Sequence, residues 1–144
     1  MSAPQITIDQ FWTGPEGRRD VLYARELTAA IRHNAGITVE RANKLLAMYS
    51  AATGDERPRG VTSGWRPAAV NSTTQGAAKR SNHMQGLAVD IADASGALDA
   101  WLGTAAGLAA LGECELWAEA ADATPTWCHV QIVPPRSGRR IFNP

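Results

Sequence analysis

The sequence holds only two cysteines, Cys114 and Cys128, too few for a disulfide framework. Two free thiols are expected instead. Charge of either sign is not in excess, because 14 basic residues balance 14 acidic ones. That removes the global electrostatic argument for a nucleic-acid partner or an anionic membrane surface. No apolar run approaches the length of a membrane span. Residues 1–10 lack a basic stretch followed by an apolar core, so no secretory signal is read there. The expectation is cytoplasmic synthesis, with any action on the cell wall following release or delivery. Internal repeats and linker-like segments are missing too, so nothing divides the chain.

What is present suits a globular fold. The chain has 144 residues, 44% of them hydrophobic, and five tryptophans. That is enough to bury a core without staples. One domain over residues 1–144 is expected, with a helical N-terminal part at about 18–53 and a sheet part at about 60–133. Ile6-Thr7-Ile8 reads as a short strand. A helix is expected from Arg19 or Asp20 to Asn34-Ala35-Gly36, carrying Val21, Leu22, Leu27 and Ile31 at helical spacing. Thr38 reads as the N-cap of a second helix with Val39, Ala42, Leu45, Leu46 and Tyr49 on its apolar face. Gly60–Ser63 reads as a strand and Ala69–Arg80 as a polar loop. A third helix is expected from Ser95-Gly96 to Gly112, then strands over Glu113–Glu119 and Trp127–Val133. Helices followed by mostly antiparallel strands give an α+β fold.

The chemistry centres on Ser81-Asn82-His83-Met84-Gln85-Gly86-Leu87-Ala88-Val89-Asp90-Ile91. On a strand, Leu87, Val89 and Ile91 point one way, and Ala88, Asp90 and Ala92 the other. A carboxylate in an apolar strand is costly to bury unless it is paired or bound to metal. A second apolar strand, Trp127-Cys128-His129-Val130-Gln131, brings an imidazole. Two histidines and one aspartate form the ligand set of a catalytic zinc site with one position open. His83, Asp90 and His129 are therefore the expected zinc ligands. Asp93 follows closely but reads as a cap for the next helix. Cys128 alternates with His129 and reads as core. Amide hydrolysis needs a base as well, and Glu119, at the end of an apolar strand, is the candidate. Arg66, after a strand and a glycine, is placed to grip a carboxylate or oxyanion. Trp65 and Trp127 line the pocket or pack the core, and His33 has no partner in view.

The order Thr-Ser-Gly-Trp-Arg-Pro, Ser-x-His-Met-x-Gly-x-Ala-x-Asp-Ile and Trp-x-His-Val resembles the zinc D-alanyl-D-alanine carboxypeptidases, closest to their phage-endolysin and prophage branch. The resemblance covers roughly Val61–Gln131. It implies a small antiparallel sheet flanked by helices, shared with the Hedgehog signalling domain. It implies zinc on His83, Asp90 and His129, a catalytic acidic residue at Glu119, and substrate contacts from Arg66 and Ser81. The implied substrate is the stem peptide of peptidoglycan, cut at a terminal D-Ala-D-Ala or an internal L-Ala-D-Glu bond. Some relatives place the acidic residue three positions before the second histidine. Here that position is Thr126, which cannot act as a base, and Asp122 is the alternative to Glu119 in the same loop. The rival reading is a non-catalytic, metal-bound module for wall binding or for a phage particle.

Overall fold

The computed structural model describes residues 5–144. Its first element is not a strand. Helix α1 spans Ile8–Trp12. Thr7 accepts a hydrogen bond from the Gln10 backbone, and the Gln10 side chain accepts one from the Thr7 backbone, each at 3.1 Å. This reciprocal capping box satisfies two donors that a strand at Ile6–Ile8 would have had to pair elsewhere. The backbone of Ile6 is held by a side chain: Asn43 accepts from its N–H at 3.0 Å and donates to its carbonyl at 2.9 Å. A two-stranded ribbon follows, β1 (Thr13–Gly14) with β2 (Gly17–Arg18).

Short helix α2 (Arg19–Leu22) and a 3-10 turn at Ala24–Glu26 replace the helix expected from residue 19. Val21 and Leu22 are exposed, so their spacing marks no buried face. The long helix is α3, Ala29–Thr53, capped by Thr28, whose hydroxyl accepts from the Ile31 N–H. It runs straight through Gly36 and Thr38, where a break was expected. Gly36 lies on the outer face, with open space where a side chain would stand. A helical glycine costs only about 1 kcal/mol there. The continuous buried face of Ile31, Ala35, Ala42, Leu45, Leu46 and Tyr49 outweighs it. Thr38 is buried mid-helix, and its hydroxyl donates to the Gly86 carbonyl at 2.8 Å instead of capping. Gly54, at φ 75°, ends the helix.

Strand β3 (Val61–Ser63), helix α4 (Ala68–Asn71), a 3-10 turn at Asn82–Gln85 and strand β4 (Ala88–Ala92) come next. The third expected helix is two: α5 (Ala97–Leu102) and α6 (Ala105–Cys114). Thr104 divides them by capping α6, its hydroxyl accepting from the Gly107 N–H at 3.2 Å. Gly112 does not stop α6; Glu115 does, in a left-handed conformation at φ 55°. The following strand β5 therefore shortens to Trp117–Glu119. Strand β6 is Trp127–Gln131, and the tail supplies β7, Ile141–Phe142.

The five-stranded sheet has the order β3-β4-β6-β5-β7, antiparallel except for β7 on β5. Val89, Ile91, Cys128, Val130 and Ala118 join the core formed with α3, α5 and α6. Strand alternation puts Asp90, His129 and Glu119 on the opposite face. The architecture is α+β, as the element pattern implies. Both cysteines are free and buried. Among the described residues no helix is long and apolar enough to cross a membrane.

Asp93 shows how the sheet hands over to α5. One carboxylate oxygen accepts from the Leu98 N–H at 3.1 Å and the other from the Asp99 N–H at 3.0 Å. Both bonds are buried, so Asp93→Ala should orphan two helix-start donors and lower stability by about 2–6 kcal/mol, at about 1–3 kcal/mol each. Urea unfolding checks the loss. Metal content should not change, because Asp93 is no part of the cluster described next.

Candidate metal centre

Antiparallel register sets Asp90 of β4 directly across from His129 of β6. His83 comes from the 3-10 turn, which Ser81 starts by accepting from the His83 N–H at 3.2 Å. Gly86 ends that turn at φ 72°, pressed so close to α3 that an added Cβ would meet the Ile31 carbonyl at 2.8 Å. A turn and two strands thus deliver three side chains to one point. His83 Nε2 lies 3.3 Å and His129 Nδ1 2.9 Å from the same oxygen, Asp90 Oδ1. One potential ligand atom from each residue lies within 4.8 Å of the others. The imidazole rings meet edge to face, with centroids 5.2 Å apart.

The far side of each ring decides which nitrogen is bare. His83 Nδ1 lies 2.9 Å from the Gly64 carbonyl, an acceptor only, so it carries the proton. His129 Nε2 lies 2.9 Å from Gln131 Oε1, and the Gln131 amide nitrogen donates to the Val133 carbonyl at 2.9 Å. That network puts the His129 proton on Nε2. In the neutral rings, His83 Nε2 and His129 Nδ1 therefore turn lone pairs toward a carboxylate oxygen. Three acceptors converge with no donor among them, an arrangement that calls for a cation. Asp90 shows the same demand from the other side: burial opposes its charge, yet protons carried by His83 and His129, which take the place a cation would fill, hold its carboxyl well below the usual carboxylate range. Burial is the largest single influence on His129 and disfavours its charge, but Asp90, Glu119 and Gln131 together outweigh it and raise its pKa.

The flank of the cluster carries further polar groups. Glu119 ends β5, partly exposed, with Oε1 3.8 Å from His129 Nε2. Arg66 is anchored through its backbone N–H to the His83 carbonyl at 3.1 Å, and its guanidinium donates to Ser81 Oγ at 3.2 Å. Its Nε is buried without a partner. Burial lowers the Arg66 pKa, while the charges of Asp90 and Glu119 oppose that fall. A buried donor thus stands without a partner near the His-Asp-His cluster.

The remaining residues singled out in the sequence fall elsewhere. Asp122 is exposed on a 3-10 turn at Ala121–Ala123, and Thr126 is exposed at the end of the loop. His33 is exposed on α3. Trp65 is a core residue, 1% exposed, its indole N–H donating to the Met84 carbonyl at 3.1 Å. Cys128 faces the core, where burial pushes its thiol well up. Two contributors escape a reading by residue type. The Gly64 carbonyl is backbone, and Gln131 looks like any polar strand residue. The one signal for Gln131 is its position two residues after His129, on the same strand face.

Gly64 tolerates no side chain. An added Cβ would lie 2.2 Å from the Phe11 carbonyl oxygen, a backbone atom that cannot swing away. Gly64→Ala should therefore push β3 off α1 and move the carbonyl that holds His83. About 3 kcal/mol of stability or more should go, at the upper end of overpacking effects, together with metal affinity. Thermal unfolding and zinc content measure the two losses.

No curated protein and no solved structure matches the chain. A family model does, over residues 21–105, a span that carries Arg66, Ser81, His83 and Asp90 and stops before Glu119 and His129. With that match across more than half its length, and a His-Asp-His cluster able to hold a metal, the chain belongs to the peptidase M15 family.

Proposed function

We propose that this metallopeptidase hydrolyses amide bonds in the stem peptides of bacterial peptidoglycan, with zinc held by His83, Asp90 and His129. The observation that carries the reading is the convergence of His83 Nε2 and His129 Nδ1, 3.3 and 2.9 Å from Asp90 Oδ1, with an oxygen acceptor 2.9 Å behind each ring. Two imidazole nitrogens and one carboxylate oxygen suit zinc and leave its fourth position for substrate or water. Zinc held by these residues would supply Lewis acidity toward a scissile carbonyl and would lower the pKa of water to about 7.

The chain's own groups do the rest. Glu119 takes the proton of the attacking water and returns it to the leaving amine. Its place on the flank of His129 supports that role. Arg66, braced by Ser81, offers its free Nε–H to a substrate carboxylate or carbonyl. A terminal D-Ala-D-Ala bond presents such a carboxylate at the chain end; an internal L-Ala-D-Glu bond presents the one on its D-Glu. The motif order resembles phage and prophage enzymes most closely. That favours a wall-lytic protein made in the cytoplasm and delivered to its substrate afterwards.

Mass spectrometry of defined stem peptides, digested with and without a chelator, tests the proposal. Loss of one D-alanine identifies a carboxypeptidase, and a split after L-alanine an endopeptidase. Either activity should vanish on chelation and return with zinc. Wall binding with no new amine from any stem peptide would overturn the enzymatic reading.

A further inference from the structure

Both imidazoles are held from behind, by different means. The ring of His83 is held by a backbone carbonyl, that of Gly64 at 2.9 Å. The ring of His129 is held by a side chain, that of Gln131, also at 2.9 Å. Only the second support can be removed by substitution. We infer that Gln131 is a positioning residue of the metal centre: its amide oxygen keeps the His129 proton on Nε2 and so presents a bare Nδ1 beside Asp90. That Nδ1 serves as a zinc ligand rests on the function proposed above; the placement of the proton does not.

Several observations fix the orientation of the amide. Gln131 is 4% exposed, so water does not compete for its polar atoms. Its nitrogen donates to the Val133 carbonyl at 2.9 Å. Flipping the amide would set two oxygens against each other there. The oxygen must then face His129, where an acceptor requires an N–H. Strand register seats the side chain: Gln131 pairs with Ala88 on β4 and Trp117 on β5. The small side chain at Ala88 leaves room, and the shared strand face brings Gln131 under the ring of His129.

The grip has a second effect. Glu119 Oε1 lies 3.8 Å from the same Nε2, beyond hydrogen-bond distance. Because Gln131 takes the Nε2–H, the Glu119 carboxylate is free to face substrate. Without Gln131, the His129 proton can move to Nδ1 and bond to Asp90, which blocks the ligand position. Alternatively the ring can turn its Nε2–H to Glu119, which ties up the base.

Gln131→Met and Gln131→Glu separate positioning from packing. Both remove the donor to Val133, and only Glu retains an acceptor for His129. Zinc affinity, measured by chelator competition, should fall about 10–100-fold in Gln131→Met, the usual effect of losing a partner behind a metal ligand. It should stay near wild type in Gln131→Glu. Nitrogen-edited NMR of histidine-labelled protein should show a slowly exchanging His129 Nε2–H proton in wild type and Gln131→Glu, and lose it in Gln131→Met. Equal zinc affinity and an unchanged Nε2–H in Gln131→Met would overturn the inference. So would a wild-type ring lacking that protected proton, a result that needs no variant to fold. Wild-type protein that takes up no zinc would sink the peptidase reading instead. The Nε2–H exchange in metal-free protein would then still decide the role of Gln131.

Discussion

Asp90→Ala should strip the protein of zinc and of amide hydrolysis together. Asp90 supplies the only anionic donor of the cluster, and both imidazoles point at the same one of its oxygens. Removing it leaves two neutral rings with nothing to offset the charge of a divalent ion. Losing a direct ligand should exceed the roughly 10–100-fold effect of losing a partner behind one. Hydrolysis should fall about a thousandfold or more, because Lewis-acid stabilisation is worth several kcal/mol and about 1.4 kcal/mol is a factor of ten. Metal analysis and stem-peptide hydrolysis read the two losses, and circular dichroism separates them from unfolding. A variant that keeps zinc and turnover would refute the ligand assignment.

Glu119→Gln should do the reverse: keep zinc and lose turnover. Glutamine preserves the shape at the end of β5 but cannot accept a proton from water. Removing a general base typically costs about 10²–10⁴-fold in rate. The change should appear in kcat, with substrate binding little altered, because the group acts in the transition state. Asp122→Asn is the control. Asp122 is exposed on its 3-10 turn, so that variant should turn over like wild type. If Asp122→Asn were the dead variant and Glu119→Gln the live one, the base would have to be reassigned.

The convergence of His83, Asp90 and His129 was the most legible part of the sequence. Strand alternation fixes which face Asp90 occupies, and a remote apolar strand bearing His129 has few other places to pair. His83 was readable from its place seven residues before Asp90 within Ser-x-His-Met-x-Gly-x-Ala-x-Asp-Ile, and the structure adds the left-handed turn at Gly86 that returns the chain into β4. Helix ends were the least legible. Gly36 and Gly112 look like stops by residue type, yet both lie within helices. Whether a glycine ends a helix depends on the packing of its neighbours, and buried faces on α3 and α6 outweighed the local cost. Thr104 was the break that mattered, and it resembles every other threonine until its hydroxyl is seen to cap. Strand β7 left no local trace, because two residues become a strand only by pairing with β5. The supports behind the ligands were hidden for a similar reason. One is a peptide carbonyl, and the other depends on which side chains the register brings together.

The contact between Gly64 and Phe11 reaches past the span over which the family model matches. The Phe11 carbonyl accepts from the Trp65 N–H at 3.0 Å and seats the glycine whose own carbonyl holds His83. Helix α1 lies wholly before the matched span of 21–105. A shortened protein beginning at residue 21 would keep every side chain of the cleft and lose the rear wall that aims one of them. Grafting this core onto another carrier should therefore take helix α1 along.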